Sequence, residues 1–202
     1  MNEKTSYKDI ADYSALSKYL YAVSEWINGY TAKEQGIKII EAYKQSNIAN
    51  VVQNEQQQRY GQHRLCYRTI KFNNDTDMEL HFDINAKIGN KYMLESYQGK
   101  AVFSWTTNEN FAQEEGWDAP PFVTVEANIP TDMVLFAAPD IIIDDIIAIR
   151  AQPHLSRTEV IYFQNFLDAF EFFEQQREII VWHQRPIEAV VIKIEHKDIN
   201  YV

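Results

Sequence analysis

The apolar residues of the N-terminal part of the chain recur every three or four residues, the spacing of helices that bury one face. The first of these stripes ends at Gly29, a common helix terminator, and predicts an amphipathic helix. Thr31 and Glu34 then form a capping box, which predicts a second helix to about Ser46 or slightly beyond. The two stripes comprise Ile10, Tyr13, Leu16, Leu20, Val23 and Ile27, followed by Ile37, Ile40 and Tyr43.

Alternation of apolar and polar residues replaces the helical spacing farther along the chain. Residues 65–72 (LCYRTIKF) have the alternation of a half-buried strand. Residues 122–129, which follow a Pro-Pro pair, alternate like an antiparallel strand. Residues 179–182 (IIVW) and 189–194 (AVVIKI) predict two further strands, which close the domain.

Other segments are less regular. Residues 54–63 are polar and rich in Gln, so we predict a solvent-facing connection or the frayed end of a helix. Residues 78–97 and 133–149 are compatible with either strand or helix. Ser156 and Glu159 form a capping box ahead of an apolar stripe, which predicts a helix to about residue 175. Helices first, then strands without regular strand–helix alternation, indicate an α+β domain with an antiparallel sheet.

The amino-acid composition limits the classes of molecule that the chain is expected to bind. The chain has 202 residues, 46% of them hydrophobic, which suffices for one domain with a full core. Its net charge of −10 argues against free nucleic acid as a partner, because affinity for phosphates comes from clustered Lys and Arg. Cys66 is the only cysteine and the histidines lack metal-binding spacing, so we predict no disulfide and no metal site. We found no apolar run of membrane-spanning length, and expect a cytoplasmic protein without a membrane partner.

Three short segments carry the candidate chemistry. Arg68 lies inside the strand predicted at 65–72. A Ser-Trp-Thr-Thr cluster at 104–107 follows three apolar residues, at the point where a predicted strand stops. Glu178 begins a late strand and is preceded by Gln176. The chain therefore carries, in order, an Arg, a Ser-x-Thr and a Gln-x-Glu motif.

This order resembles the signature of the ADP-ribosyltransferases of the arginine-motif class, and the Ser-Trp-Thr form resembles variants common in bacterial and phage chains. The likeness covers roughly residues 65–194. The resemblance implies a split pair of antiparallel sheets around an NAD cleft, preceded here by the N-terminal helices. In this interpretation residues 1–202 form a single domain, with a helical part at 1–60 and an NAD-binding catalytic core at 61–202.

The resemblance also implies roles for the motif residues. Arg68, next to Tyr67, is expected to hold the phosphates or ribose of NAD, because a planar guanidinium suits bidentate phosphate contacts. Glu178 is expected to bind the nicotinamide-side ribose and to stabilise the positive charge that develops as the glycosidic bond breaks. Gln176, two residues earlier on the same strand, is expected to face the same way and to contact the acceptor, for which arginine is our first expectation. The remaining residues expected in the NAD site are Ser104, Trp105, Thr106 and Thr107.

Two assignments stay open in the sequence. The family's more usual Phe-x-Ser-Thr-Ser/Thr pattern places Trp105 where the first Ser stands, unless the register slips by one residue and Ser104 serves. Glu159 is a rival for the catalytic carboxylate, because it also precedes an apolar run. Its place in a capping box ahead of a helical stripe leads us to prefer Glu178.

Three functions follow as hypotheses. The first is a mono-ADP-ribosyltransferase that modifies a protein target, as a toxin or phage effector. The second retains NAD cleavage but uses water or phosphate as the acceptor, which makes the chain an NAD-degrading toxin. The third is a non-catalytic binding or inhibitor protein on the same fold, for which the acidic composition favours a basic protein partner.

Overall fold

The chain folds into a layer of helices against one face of a sheet. The computed structural model describes residues 7–27, 33–45, 47–82, 87–95, 101–110 and 121–196. The helices within these ranges are α1 (Tyr13–Ile27), α2 (Lys33–Tyr43), α3 (Ile48–Tyr60), α4 (Asp75–His81), α5 (Ile143–Arg150) and α6 (Arg157–Gln176). The strands are β1 (His63–Lys71), β2 (Lys91–Leu94), β3 (Val102–Thr106), β4 (Phe122–Pro130), β5 (Val134–Ala137), β6 (Glu178–Trp182) and β7 (Ile187–Glu195).

The strands form one antiparallel sheet in the order β2-β7-β4-β1-β3-β6-β5. Strands β1 and β4 pair along the full length of both. Strands β1 and β3 pair at a single position, Tyr67 opposite Thr106. The predicted α+β class is confirmed. The expected split into two sheets is wrong, because β1 has a partner strand on each side and thereby joins all the described strands.

Each face of the sheet covers its own hydrophobic core, because successive strand residues point to opposite faces. Val102 and Ile180 pack with α1, α2, α3, α5 and α6, on what we call the helical face. Phe103 and Ile179 pack on the opposite face, which we call the α4 face because Met78 of α4 lies in its core. None of the described helices is long and apolar enough to cross a lipid bilayer.

Most of the predicted elements form where the pattern indicated. Strands β1, β4, β6 and β7 confirm the four predicted strands, and α1 and α2 confirm the two N-terminal helices. The predicted boundaries at Gly29, Thr31 and Ser46 lie outside the described residues. Helix α6 begins after Ser156, which forms the predicted capping box with Glu159.

The irregular segments take definite structures. Residues 133–149 contain both β5 and most of α5, and residues 78–97 contain the end of α4 and all of β2, with 83–86 and 96–97 outside the described ranges. The interpretation of 54–63 is correct in placing the end of a helix there and wrong in expecting the whole segment to face solvent. These residues continue α3 to Tyr60, and Gln56 is buried because its amide binds the carboxylate of Asp140.

A buried polar network around Asp140 fixes α3 to the sheet. The Asp140 carboxylate accepts hydrogen bonds from Arg64 Nη1 at 2.5 Å, from Gln56 Nε2 at 2.7 Å and from the Tyr60 hydroxyl at 2.7 Å. The Arg64 guanidinium also lies 4.1 Å from the centre of the Tyr60 ring. A buried ion pair is tolerated when additional hydrogen bonds satisfy the charged groups, and Asp140 meets this condition.

Replacing Asp140 by alanine is expected to lower the free energy of unfolding by about 3–5 kcal/mol, because the buried Arg64 guanidinium loses its carboxylate. Asp132→Ala is the matched control. Asp132 also pairs with an arginine, Arg185, but the two side chains are 48% and 51% exposed. We expect a loss below about 1 kcal/mol there. Urea unfolding measures both changes, and equal losses in the two variants would contradict the role assigned to the network.

Candidate functional site

The three motif-bearing strands are neighbours in the sheet. Strand β3 lies between β1 and β6, and Thr106 of β3 stands opposite Tyr67 on one side and Glu178 on the other. Ser104 and Glu178 are 74 residues apart in the sequence. The Arg, Ser-x-Thr and Glu motifs therefore lie, in the same order, on three adjacent strands.

Glu178 begins β6, and its side chain is buried on the helical face with 3% of the residue exposed. The Ser104 hydroxyl donates a 2.5 Å hydrogen bond to Glu178 Oε1, and Ser104 Oγ accepts a 2.8 Å hydrogen bond from the indole N–H of Trp26 on α1. Burial raises the pKa of Glu178 to about 7, and the hydrogen-bond donors of Ser104 and Trp26 oppose this rise. Near neutral pH the group is present both as acid and as carboxylate, which suits proton transfer or stabilisation of positive charge.

The chain turns sharply between α6 and Glu178. Gln176 is the last residue of α6, and Arg177 adopts a left-handed conformation with φ of 48° that ends the helix. The Thr106 hydroxyl donates a 2.6 Å hydrogen bond to the Gln176 carbonyl, one of the carbonyls that a helix end leaves without a partner. The expectation that Gln176 shares a strand face with Glu178 is wrong, because α6 extends through Gln176 and the two residues do not belong to one strand.

The threonines of the motif brace this turn. Thr106 Oγ1 also accepts a 2.9 Å hydrogen bond from the backbone N–H of Asn108. The Arg177 side chain donates from Nε to Thr107 Oγ1 at 3.1 Å, and the Thr107 N–H donates to the Arg177 carbonyl at 3.3 Å. These contacts hold the end of β3 against the segment that leads into Glu178.

Arg68 lies on the α4 face, on the opposite side of the sheet from Glu178. Its guanidinium carbon is 4.3 Å from the centre of the Phe103 ring, and Phe103 points away from the face that carries Ser104. Burial lowers the pKa of Arg68 to about 10, and no other described residue forms an ion pair with it. The structure therefore does not bring Arg68 and Glu178 together on one face.

A cavity of about 720 Å³ adjoins Arg68. It lies beside the unpaired part of two strands, since β1 after Tyr67 and β3 before Thr106 form no further bridge with each other. Arg68 from β1 and Phe103 from β3 are both part of its wall. The other lining residues are apolar (Ile70, Phe72, Leu80 and Leu94) or polar (Lys71, Asn73, Asp77, His81 and Glu95).

Trp105 is a core residue of the α4 face, with 2% exposed. Its indole N–H donates a 3.2 Å hydrogen bond to Nε2 of His183, which is itself buried. Burial, together with the positive charge of Arg68, lowers the pKa of His183 to about 3. His183 therefore stays neutral at physiological pH and accepts the Trp105 proton. Because its ring is enclosed in the core of the α4 face, Trp105 packs on the side of β3 opposite to Glu178.

The residues in the two alternatives left open by the sequence differ in their contacts. Ser104, rather than a residue in the register of Trp105, contacts Glu178. Glu159 is partly buried at the start of α6, where its Oε2 accepts a 2.6 Å hydrogen bond from the Ser156 N–H, and the hydrogen bonds from Ser156 lower the pKa of Glu159. It is a helix cap at the far end of the helix that leads to Glu178.

Two residues of the site, Trp26 and His183, are not predicted by the sequence. Trp26 is in a helix outside the segments that carry the motifs, and His183 follows β6 in no recognisable motif, so no local signal identified either residue. Within the described ranges, no group of three or more His, Cys, Asp or Glu residues is arranged to hold a metal ion.

Because the pKa of Glu178 is raised, we expect the free energy of unfolding to depend on pH. Between the ordinary value of 4.5 and about 7 the unfolded chain ionises at this residue while the folded chain does not, so stability is lost as pH rises through this window. The variant Glu178→Gln has no charge to bury. We expect its free energy of unfolding to gain about 2–3 kcal/mol relative to the wild type when pH is raised from about 5 to about 8.

Urea unfolding of the wild type and the variant at both pH values measures this change. Glu188→Gln is the control, because Glu188 lies on β7 with 56% of its side chain exposed, paired with Lys91. Its difference from the wild type is expected to stay constant with pH. The same constancy in Glu178→Gln would contradict a buried carboxyl group with a raised pKa.

Comparisons of the chain with models of protein families, with curated proteins and with solved structures found no match. The resemblance to ADP-ribosyltransferases consequently rests on the motif residues alone.

Proposed function

We propose that the chain cleaves NAD between nicotinamide and ribose and transfers the ADP-ribose to a protein side chain, as a mono-ADP-ribosyltransferase. The observation that carries the proposal is the 2.5 Å hydrogen bond from Ser104 to the buried carboxyl group of Glu178. It joins two of the three motifs of the sequence resemblance on adjacent strands. The third motif, Arg68, lies on the next strand along, β1.

The chemistry requires a fixed negative charge beside the ribose. When the glycosidic bond breaks, its electron pair goes to the pyridinium nitrogen, nicotinamide leaves as a neutral molecule, and positive charge develops on the ribose. A carboxylate held next to the reacting carbon stabilises this oxocarbenium-like transition state more than the ground state. The acceptor side chain then bonds to the ribose carbon and loses a proton. Glu178 supplies the carboxylate, and it is ionised in a growing fraction of molecules as pH rises through about 7.

Ser104 contributes orientation. A carboxylate that accepts a hydrogen bond from a hydroxyl group on a neighbouring strand has a restricted rotamer, so its charge is already in position before the bond breaks. Thr106 and Thr107 support this arrangement from the other end of the motif, because they fix the turn from which β6 begins.

The cavity beside Arg68 is our candidate binding site for the phosphate-bearing part of NAD. Arg68 is a partly buried guanidinium without an ion-pair partner among the described residues, and an anionic ligand compensates such a charge. Beyond Tyr67 and before Thr106, β1 and β3 form no further bridge with each other. In the proposal NAD extends between these two strands, with its phosphates near Arg68 and its nicotinamide ribose near Glu178.

The acceptor is assigned from the sequence resemblance. The expectation of an arginine acceptor depended on Gln176, which ends α6 instead of facing outward beside Glu178 on a strand. We retain a protein side chain as the acceptor, and the role as a toxin or phage effector, on the sequence resemblance alone.

Incubation of the protein with NAD labelled on the adenylate, in the presence of a cell lysate, tests the activity. The wild type is expected to transfer label to protein, and Glu178→Gln is expected to be at least about a hundredfold slower, because it lacks the stabilising charge. Glu159→Gln is the matched control and is expected to retain the wild-type rate, since Glu159 caps a helix. Wild-type activity in Glu178→Gln would contradict the assignment of the catalytic carboxylate.

The same assay separates the proposal from the NAD-degrading alternative. Nicotinamide release that is equally fast without lysate, with no label on protein, would identify water as the acceptor. Intact NAD after incubation with the folded wild-type protein would refute NAD cleavage altogether.

Binding of NAD to the inactive Glu178→Gln variant tests the role of Arg68 without turnover. Adding Arg68→Lys to this variant is expected to weaken NAD binding by about tenfold or more, because an ammonium group cannot make the bidentate phosphate contact. Arg185→Lys is the control, since Arg185 pairs with Asp132 at an exposed position. Isothermal titration calorimetry measures both affinities, and an unchanged affinity in the Arg68 variant would remove the cavity from the NAD site.

A further inference from the structure

Two hydrogen bonds in series connect helix α1 to the carboxyl group of Glu178. The indole nitrogen of Trp26 lies 2.8 Å from Ser104 Oγ, and Ser104 Oγ lies 2.5 Å from Glu178 Oε1. Trp26 is 4% exposed and belongs to the last turn of α1. A helix outside the motif-bearing segments thus contacts the site through one side chain.

The chemistry of the three groups gives the series a single direction. An indole N–H can only donate, whereas a serine hydroxyl has one proton and can accept at its oxygen. Because Trp26 donates to Ser104, the serine proton remains for Glu178. We propose that Trp26 is a positioning residue, whose indole N–H holds the Ser104 hydroxyl in the orientation that donates to Glu178. The kinetic consequence of this inference rests on the proposed function, whereas the effect on Glu178 itself does not.

The packing of α1 and α2 keeps the indole in place. Tyr21 of α1 stacks on Tyr162 of α6, with ring centroids 4.3 Å apart. On α2, a Cβ atom at Gly36 would lie 3.1 Å from Val102 and 3.6 Å from the Trp26 ring. Glycine therefore allows α2 to lie against β3 two residues from Ser104, next to the indole. This close packing restricts the movement of Trp26 away from the hydroxyl group.

Among the described residues, no ion pair masks the effect of these two hydrogen bonds on the pKa of Glu178. Among the described residues, no cation forms an ion pair with Glu178, and burial and hydrogen bonding account for the shift of its pKa. The adjacent Arg177 directs its guanidinium to Thr107 instead. The titration of Glu178 therefore reports on whether Ser104 donates to it.

The test compares the variants Trp26→Phe, Ser104→Ala and the double variant. The titration of Glu178 is followed by carbon-13 NMR of the side-chain carboxyl groups, with the resonance assigned by its loss in Glu178→Gln. Trp26→Phe retains an aromatic ring but has no donor, so we expect the titration midpoint to rise by about 0.5–1 pH unit. In the Ser104→Ala background the same change is expected to raise the midpoint clearly less, because only the direct contribution of the indole N–H to Glu178 remains there.

Trp182→Phe is the matched control. Trp182 is on β6 with its ring beneath the Lys44 ammonium group, 4.6 Å away, and we expect the Glu178 midpoint to stay unchanged. A second measurement does not depend on the folding of any Trp26 variant. The proton resonance of the Trp26 indole N–H is expected to shift as Glu178 titrates in the wild type, and to shift clearly less in Ser104→Ala.

Either of two results would overturn the proposal: a Glu178 midpoint unchanged in Trp26→Phe, or a shift of equal size with and without Ser104. A purely structural tryptophan would give one of these results. In the NAD assay, Trp26→Phe is expected to lower kcat about fivefold to tenfold with little change in KM, because the indole orients the catalytic group and does not bind NAD. If the wild type leaves NAD intact while the titrations agree with expectation, the proposed function fails and the positioning of Glu178 by Trp26 stands.

Discussion

The pairing of Thr106 with Tyr67 is the contact on which the continuity of the sheet depends. It is the one bridge between β1 and β3. Without it, the order β2-β7-β4-β1 and the order β3-β6-β5 would describe two separate sheets, each with an additional unprotected edge. On its other side Thr106 stands opposite Glu178, and its hydroxyl group holds the end of α6. The contact that joins the two groups of strands thus also sets the position of the candidate catalytic residue.

Two buried carboxyl groups in this fold differ in what they contribute. Asp140 receives hydrogen bonds from Arg64, Gln56 and Tyr60, so its charge is compensated and it links α3 to the sheet. Glu178 receives one from Ser104, and no cation among the described residues forms an ion pair with it, so its ionisation opposes folding at neutral pH. An apolar or amide side chain would fill the same place without the free-energy cost of burying a charge. A fold that retains an unfavourable ionisable group in a well-packed region commonly does so for chemistry, which is the physical basis for treating Glu178 as the centre of the site.

The predictions from sequence succeeded where the determinants are local. The capping box of Ser156 and Glu159 lies within four residues, and α6 begins where it predicts. The role of Gln176 depended on the exact end of that helix, and an extension to Gln176 was enough to remove it from the strand. Boundaries are decided by tertiary contacts, here the hydrogen bond from Thr106, which a sequence pattern does not contain.

Long-range polar contacts could not be predicted from the sequence for the same reason. Gln56 lies in a polar stretch that resembles a surface segment, and its burial follows from a partner, Asp140, that is 84 residues away. Trp26 is 78 residues from Ser104 and occupies a helix whose apolar stripe predicts only burial. The candidate residues on β3 and β6 were selected by their order along the chain. Which face each side chain occupies depends on strand register, and only the structure separates Arg68 from Glu178 in this respect.

The strand order has a consequence for how the molecule forms. Strand β6 inserts between β3 and β5, and β7 inserts between β2 and β4, so the last two described strands occupy interior positions. During synthesis β3 lacks its β6 partner, and β4 lacks its β7 partner, until these late segments emerge from the ribosome. Such non-local pairing is slow and leaves apolar strand edges exposed in the meantime. The nascent chain is therefore vulnerable to aggregation over most of its translation, and it has no candidate active site until Glu178 has joined the sheet.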